Sequence, residues 1–164
     1  MKTAAQWIKS LSLESHPEGG YYTRIYESQM TLNTPTGTRP SSTAIHYLLE
    51  RNDFSSWHRI QNDELWLFHS GTPLTVHQID EAGKLSSTTL SNNHTISHVV
   101  KGKTWFCSEV VGETENCNPE EQYSLVSCVV SPGFDFIDFE LGNKEELVNI
   151  YPQHRDIICR LCRS

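Results

Sequence analysis

No stretch of this sequence gathers its 13 lysines and arginines into a basic cluster, and 20 aspartates and glutamates leave a net charge of −7. That absence argues against nucleic acid or an anionic membrane surface as a partner. Long apolar runs are also missing: nothing approaches the roughly 18 residues of a membrane span. The first residues, MKTAAQWIKSLSLES, carry no signal-peptide core, so a cytoplasmic protein is expected. Cysteine is sparse and irregular. Five thiols, an odd number without scaffold spacing, fit a reducing compartment. Asn93-His94-Thr95 matches a glycosylation sequon, which carries no weight without a secretory signal. Internal repeats and low-complexity tracts are absent, and 164 residues fit a single domain over 1–164.

What the chain does have is a dense β signal. Strand-like runs fall at 21–26, 42–49, 54–60, 64–69, 74–79, 84–90, 95–100, 104–110, 123–130 and 134–140, with turn residues between them. The polar stretch 28–40 reads as a long loop. Ala4, Trp7, Ile8 and Leu11 have the spacing of an amphipathic helix. Near the other end, Asn143 can cap a helical turn that stops before Pro152, and Ile157, Ile158 and Leu161 give one apolar stripe. Short, evenly spaced strands framed by terminal helices predict an all-β barrel or sandwich.

The segment WHRIQNDELWLFHSG, residues 57–71, carries the most chemistry. Apolar runs flank Gln61-Asn62-Asp63, so it reads as a β-hairpin. Centred on Gln61, that hairpin sets His58 opposite Glu64 and Arg59 opposite Asp63, on different faces. One face then holds Ser56, His58, Glu64, Trp66 and Phe68: an acid–base pair among aromatics, as in a small-molecule pocket. An imidazole with an ordinary pKa of ~6.5 suits proton abstraction. Glu64 would orient that ring and stabilise the imidazolium, while Trp66, Phe68 and Trp105 would wall the site. The plainer alternative is a cross-strand pair worth ~0.2–1 kcal/mol that only holds the hairpin shut. Inward aromatics are ordinarily core, and Arg59 with Asp63 reads as a surface salt bridge.

Other segments offer weaker candidates. In HPEGGYY, residues 16–22, the Gly19-Gly20 pair permits positive φ, and His16 and Glu18 could lie at a pocket mouth. Arg24 on the following strand could reach a carboxylate or phosphate. Ser131-Pro132-Gly133 reads as a tight hairpin turn, with Asp135 and Asp138 beyond it. Cys159 and Cys162 are three apart, which on a helix would point both thiols to one side, with His154 upstream. Cys107, Cys117 and Cys128 read as ordinary thiols.

Taken together, HPEGGYY at 16–22, SSTAIHYLL at 41–49, WHRIQNDELWLFHSG at 57–71, YSLVSCVVSPGFDFIDFELG at 123–142 and Tyr151-Pro152 resemble the cupin-5 group. These are small cupins mostly without an assigned function. The resemblance implies an all-β double-stranded β-helix, the cupin jelly-roll barrel, usually a homodimer. It also implies a pocket that is often free of metal and similar to that of the sugar-nucleotide 3,5-epimerases. In those enzymes a motif histidine removes a proton next to a carbonyl, and His58 occupies that position. Their acid tyrosine has no motif-matched counterpart here.

Cupins that hold a metal use two histidines and a glutamate from one motif and a third histidine from a second. His58, Glu64 and Gly71 match the first, but its second histidine falls on Ile60. Aligning the second motif on Gly102 places Trp105 at the third histidine. A catalytic metal normally takes at least three protein ligands, so neither metal nor other cofactor is expected unless His46 or His69 compensates.

The expectation is thus a small-molecule-binding cupin, epimerase- or isomerase-like on a carbohydrate-related carbonyl compound. His58 is the general base and Glu64 its partner, with Ser56, Trp66, Phe68, Trp105 and Arg24 against the ligand. The alternatives are a non-enzymatic binding cupin and a metal-dependent cupin enzyme.

Overall fold

A computed structural model describes residues 2–112 and 122–163. Cys117 and most of the turn expected over 112–121 lie outside the described residues. Helix α1 (Ala4–Leu11) starts at a capping box in which Thr3 and Gln6 satisfy each other's backbone N–H groups. Thirteen strands follow among the described residues: β1 (Glu14–Ser15), β2 (Tyr21–Glu27), β3 (Thr31–Thr34), β4 (Gly37–Pro40), β5 (Thr43–Glu50), β6 (Phe54–Ile60), β7 (Asp63–Gly71), β8 (Leu74–Ile79), β9 (Leu85–Leu90), β10 (Ser97–Val100), β11 (Trp105–Val110), β12 (Tyr123–Ser131) and β13 (Phe139–Leu141). Helices α2 (Lys144–Ile150, capped by Asn143) and α3 (Arg155–Arg160) close the chain. No helix among the described residues is long and apolar enough to cross a membrane.

The strands form two antiparallel sheets, ordered β1-β2-β5-β12-β7-β10 and β13-β6-β11-β8-β9, plus the β3-β4 ribbon. Three apolar clusters follow from the alternation of side chains. Between the sheets lie Leu49, Trp66, Leu74, Val76, Phe106 and Val126. The outer face of the five-stranded sheet buries Trp57, Ile79, Trp105 and Cys107 under α2 and α3 through Leu147, Ile158 and Leu161. Helix α1 covers Leu48, Tyr123 and Leu125 on the six-stranded sheet. This is the jelly-roll expected from the sequence.

Several local expectations are corrected. The segment 57–71 is not a hairpin: β6 pairs with β11 and β13, whereas β7 pairs with β12 and β10. Gln61 and Asn62 form the corner where the chain leaves one sheet for the other, packed on Gly102, where an added Cβ would stand 2.3 Å from the Gln61 carbonyl oxygen. The stretch 28–40 is not all loop, because Thr31–Thr34 and Gly37–Pro40 pair as a ribbon around a turn that uses Gly37 at φ 126°. The run 134–140 is a single 3-10 turn (Phe136–Asp138) followed by the short β13, since Asp135 caps the Ile137 N–H at 2.9 Å. After Ser131-Pro132-Gly133 the chain likewise changes sheet rather than folding back on β12.

A bulge in β6 positions the site. His58 faces Phe106 and Ser55 faces Ser108, so Ser56 and Trp57 together oppose Cys107. The extra residue flips the alternation, and Ser55 shares the inner face with His58.

Candidate functional site

One end of the space between the sheets is filled by core side chains, and the other opens as a cavity. Its wall draws Tyr22 and Arg24 from β2, Ile45 and Tyr47 from β5, His58 and Ile60 from β6, Glu64 from β7 and Cys128 from β12. Phe134, Phe139 and the His16–Glu18 turn complete the rim. His58 and Glu64 therefore do face one space, but from opposite sheets rather than across a ladder.

Glu18 takes the place expected for Glu64. Its Oε2 lies 3.0 Å from His58 Nε2 and 3.5 Å from His16 Nδ1, while Oε1 accepts the Ser55 hydroxyl at 3.0 Å. The turn carrying it is stitched onto β6, where Ser56 N–H donates to the Glu18 carbonyl at 2.8 Å. Gly19 and Gly20 sit at φ 115° and 70°. Tyr47 fixes the same turn by donating to the Gly19 carbonyl at 2.8 Å.

Burial dominates the electrostatics of Glu18, His58 and Glu64. His58 is 2% exposed, its ring 4.0 Å from that of Phe106. Burial lowers its pKa to about 4, against the pull of the Ser56 carbonyl. That carbonyl, 2.7 Å from Nδ1, can only accept, so Nδ1 carries the proton and Nε2 is the acceptor of the neutral ring. Burial pushes Glu18 upward. The Glu18–His58 pair is thus held as carboxyl and neutral imidazole sharing one proton. Burial, then the nearby Glu18, raises Glu64 to about 8. Glu64 is a protonated carboxyl at neutral pH, and its Oε2 is enclosed without a hydrogen-bond partner.

The other expected site residues are placed differently. Arg24 is at the cavity, its Nη1 2.6 Å from Glu27 Oε2. Trp66 and Phe68 belong to the inner core and do not line the cavity; Trp66 stands one layer behind, edge-on to Tyr47 at 6.0 Å. Trp105 points away, into the cluster under the C-terminal helices, with the Arg59 guanidinium 4.6 Å from its ring. Ser56 is turned from the cavity by the bulge, and its hydroxyl accepts the Arg163 N–H at 3.2 Å. Arg59 pairs with Glu140 at 2.6 Å and not with Asp63, which binds Lys101 and the Gly102 N–H, because β6 and β7 are in different sheets.

Asp138 is buried against Arg39 Nε at 2.7 Å and so faces no pocket. Cys162 falls beyond the end of α3, where it is buried and donates to the Gly142 carbonyl at 3.2 Å, whereas Cys159 is exposed. The two thiols therefore do not share a side. Sequence reasoning kept His16 and Glu18 only as mouth residues. The signal that could have raised them is two ionisable side chains flanking a proline, just ahead of the Gly-Gly pair.

The donors do not fit a metal. Ile60 occupies the cavity wall where a cupin ligand would stand, and Glu18 holds His58 Nε2. His46 and His69 cannot compensate: both bind Ser127 Oγ, at 3.1 and 2.6 Å, away from the cavity. No group of three candidate donors is assembled among the described residues.

Comparison with known proteins agrees with this architecture. A hypothetical protein from Leishmania major is 34% identical, with a TM-score of 0.89 over 99% of this chain and 100% of its own. A protein from Shewanella oneidensis solved by X-ray crystallography is 35% identical, with a TM-score of 0.87 over 99% of each chain. A cupin 2 domain-containing protein from Halorhodospira halophila shares the fold at 12% identity, with a TM-score of 0.58 over 92% of this chain and 88% of its own. Comparison with curated proteins gives no significant match. The family described as Cupin superfamily (DUF985), cupin-5, matches residues 5–142, and the chain belongs to that family.

Proposed function

We propose that this cupin binds a small carbohydrate-related carbonyl compound in its barrel and moves a proton on it, as an epimerase or isomerase does. The observation that carries this reading is the gathering of Glu18, His58 and Glu64, each at least 92% buried, around one cavity. Three titratable groups enclosed without a cation are expensive to keep for stability alone, and such clusters concentrate at functional sites. Glu18 is the proton acceptor: its carboxyl takes the proton from the bound compound while passing the one it holds to His58 Nε2, the Ser56 carbonyl fixing the ring's tautomer. Protonated Glu64, on the opposite sheet, is the donor. Arg24 at the mouth suits an anionic substituent on the ligand.

The test is solvent-hydrogen exchange: aldoses, ketoses and their phosphates are incubated with the protein in D2O, and deuterium next to the carbonyl is followed by NMR. Exchange that is lost in Glu18→Gln and Glu64→Gln supports the reading. Binding without exchange across the panel would favour a second one, a non-enzymatic binding cupin. One observation favours that alternative: both ring nitrogens of His58 are already engaged by the protein.

A further inference from the structure

His58 has no nitrogen left for a ligand, but a second imidazole stands at the same cavity. The His16 side chain is 6% exposed and its ring is enclosed by aromatics: Tyr22 edge-on at 4.7 Å, Phe136 and Phe139 both at 6.0 Å, and Tyr47 at 6.2 Å. Its Nδ1 accepts the backbone N–H of Glu18 at 3.3 Å. A neutral ring whose Nδ1 accepts carries its proton on Nε2. No hydrogen bond among the described residues engages that Nε2, yet it is not one of the enclosed polar atoms lacking a partner. It therefore keeps accessible surface, and the residue lines the cavity. Burial lowers the His16 pKa despite the nearby Glu18, which keeps the ring neutral.

We propose that His16 is the imidazole that meets the bound molecule, donating Nε2–H to a carbonyl or hydroxyl oxygen, while His58 stands behind as a positioning residue. The class of ligand that follows is a small molecule presenting an oxygen acceptor at the rim of the cavity, beside the aromatic edges of Tyr22 and Phe139. In the proton-transfer reading on which this rests, that oxygen is the one that gains negative charge. A donor fixed there before reaction stabilises the charge without reorganisation.

Two measurements separate this proposal from the reading beneath it. The first needs no substrate. In full-length protein carrying 15N-histidine, the His16 ring should show Nε2–H with an unprotonated Nδ1, and its N–H should exchange with water at least ~10-fold faster than the His58 Nδ1–H, as an open rather than a closed donor must. A proton on His16 Nδ1, or a His58 N–H that exchanges as fast, overturns the proposal. The second uses the D2O assay. His16→Phe, which the aromatic surroundings can accommodate, should cut exchange ~100-fold or more, the loss typical of one such donor. His16→Gln, which returns an N–H near the same place, should recover part of it. Wild-type exchange by His16→Phe would sink the proposal and leave the acid–base reading standing. Absence of exchange by the wild type would sink that reading, and the NMR result would then decide the role of His16.

Discussion

Glu18 Oε2 lies 3.0 Å from His58 Nε2, joining the turn ahead of β2 to the bulged strand β6 inside the barrel. The contact links segments 40 residues apart, and both groups are buried. Glu18→Ala should therefore destabilise the fold by ~1–3 kcal/mol, the usual result of leaving an enclosed hydrogen-bonding group without its partner. Glu18→Gln, which keeps a hydrogen bond, should cost clearly less. Urea unfolding of both variants checks this; equal and small losses would show that the contact is incidental.

Glu64 gives a pH dependence of definite sign. Its pKa is about 8 in the folded chain against 4.5 for the free group. Between those values the native state binds the extra proton, so its contribution is complete below about 4.5 and is lost as the pH rises towards 8. The loss is on the order of a few kcal/mol. Glu64→Gln should flatten the fall in Tm between neutral and mildly alkaline pH. An unchanged slope would count against the assignment.

His58 acts at the other end of the scale. Its pKa of about 4 lies below the ordinary 6.5, so its contribution is present above 6.5 and lost as pH falls through 4. Replacing His58 with Gln should lower Tm near neutrality but remove part of the acid-side decline. Thermal melts from pH 7 to 4 read both effects, and a parallel decline in variant and wild type would refute the claim.

Arg24 should separate binding from folding. Its ion pair with Glu27 is largely exposed, so Arg24→Gln should change stability by no more than ~1 kcal/mol. Affinity for a sugar phosphate that shifts the melting temperature should fall about tenfold or more, in line with a lost charge-assisted contact. Unchanged affinity would place the anionic group elsewhere.

Gly19→Ala should act on the site through the backbone. Gly19 has φ 115°, and an added Cβ would stand 2.2 Å from the Phe54 carbonyl oxygen. A stability loss above ~1 kcal/mol is expected, together with altered His16 and His58 NMR signals, because both residues depend on that turn. Wild-type stability and spectra would contradict this.

Much of the barrel was readable in the sequence because its strands alternate and its turns carry their own signals, as at Leu74–Ile79 and Phe54–Ile60. The site was only half legible. His58 and Glu64 do meet the same cavity, but alternation within 57–71 could not show that Gln61-Asn62 is a corner between sheets. Nor could it show the bulge at Ser56-Trp57, which depends on pairing with β11, a strand some fifty residues away. Trp105 was misplaced for the same reason, since a motif alignment carries no information on which face a residue takes. Glu18 reaches His58 only through tertiary folding, so no local spacing announced it.

The bulge makes this stretch of chain intolerant of changes in length. Removing either Ser56 or Trp57 would restore an even ladder with β11 and would look harmless to the sheet itself. Yet one residue would then have to do the work of two, since Ser56 gives its carbonyl to His58 Nδ1 while Trp57 fills the core under the C-terminal helices. Ser55 would keep the face of His58, but either the Ser56 backbone that secures the Glu18 turn or the buried Trp57 indole would be lost. Related chains that keep this cavity should accept substitutions at these two positions far more readily than insertions or deletions.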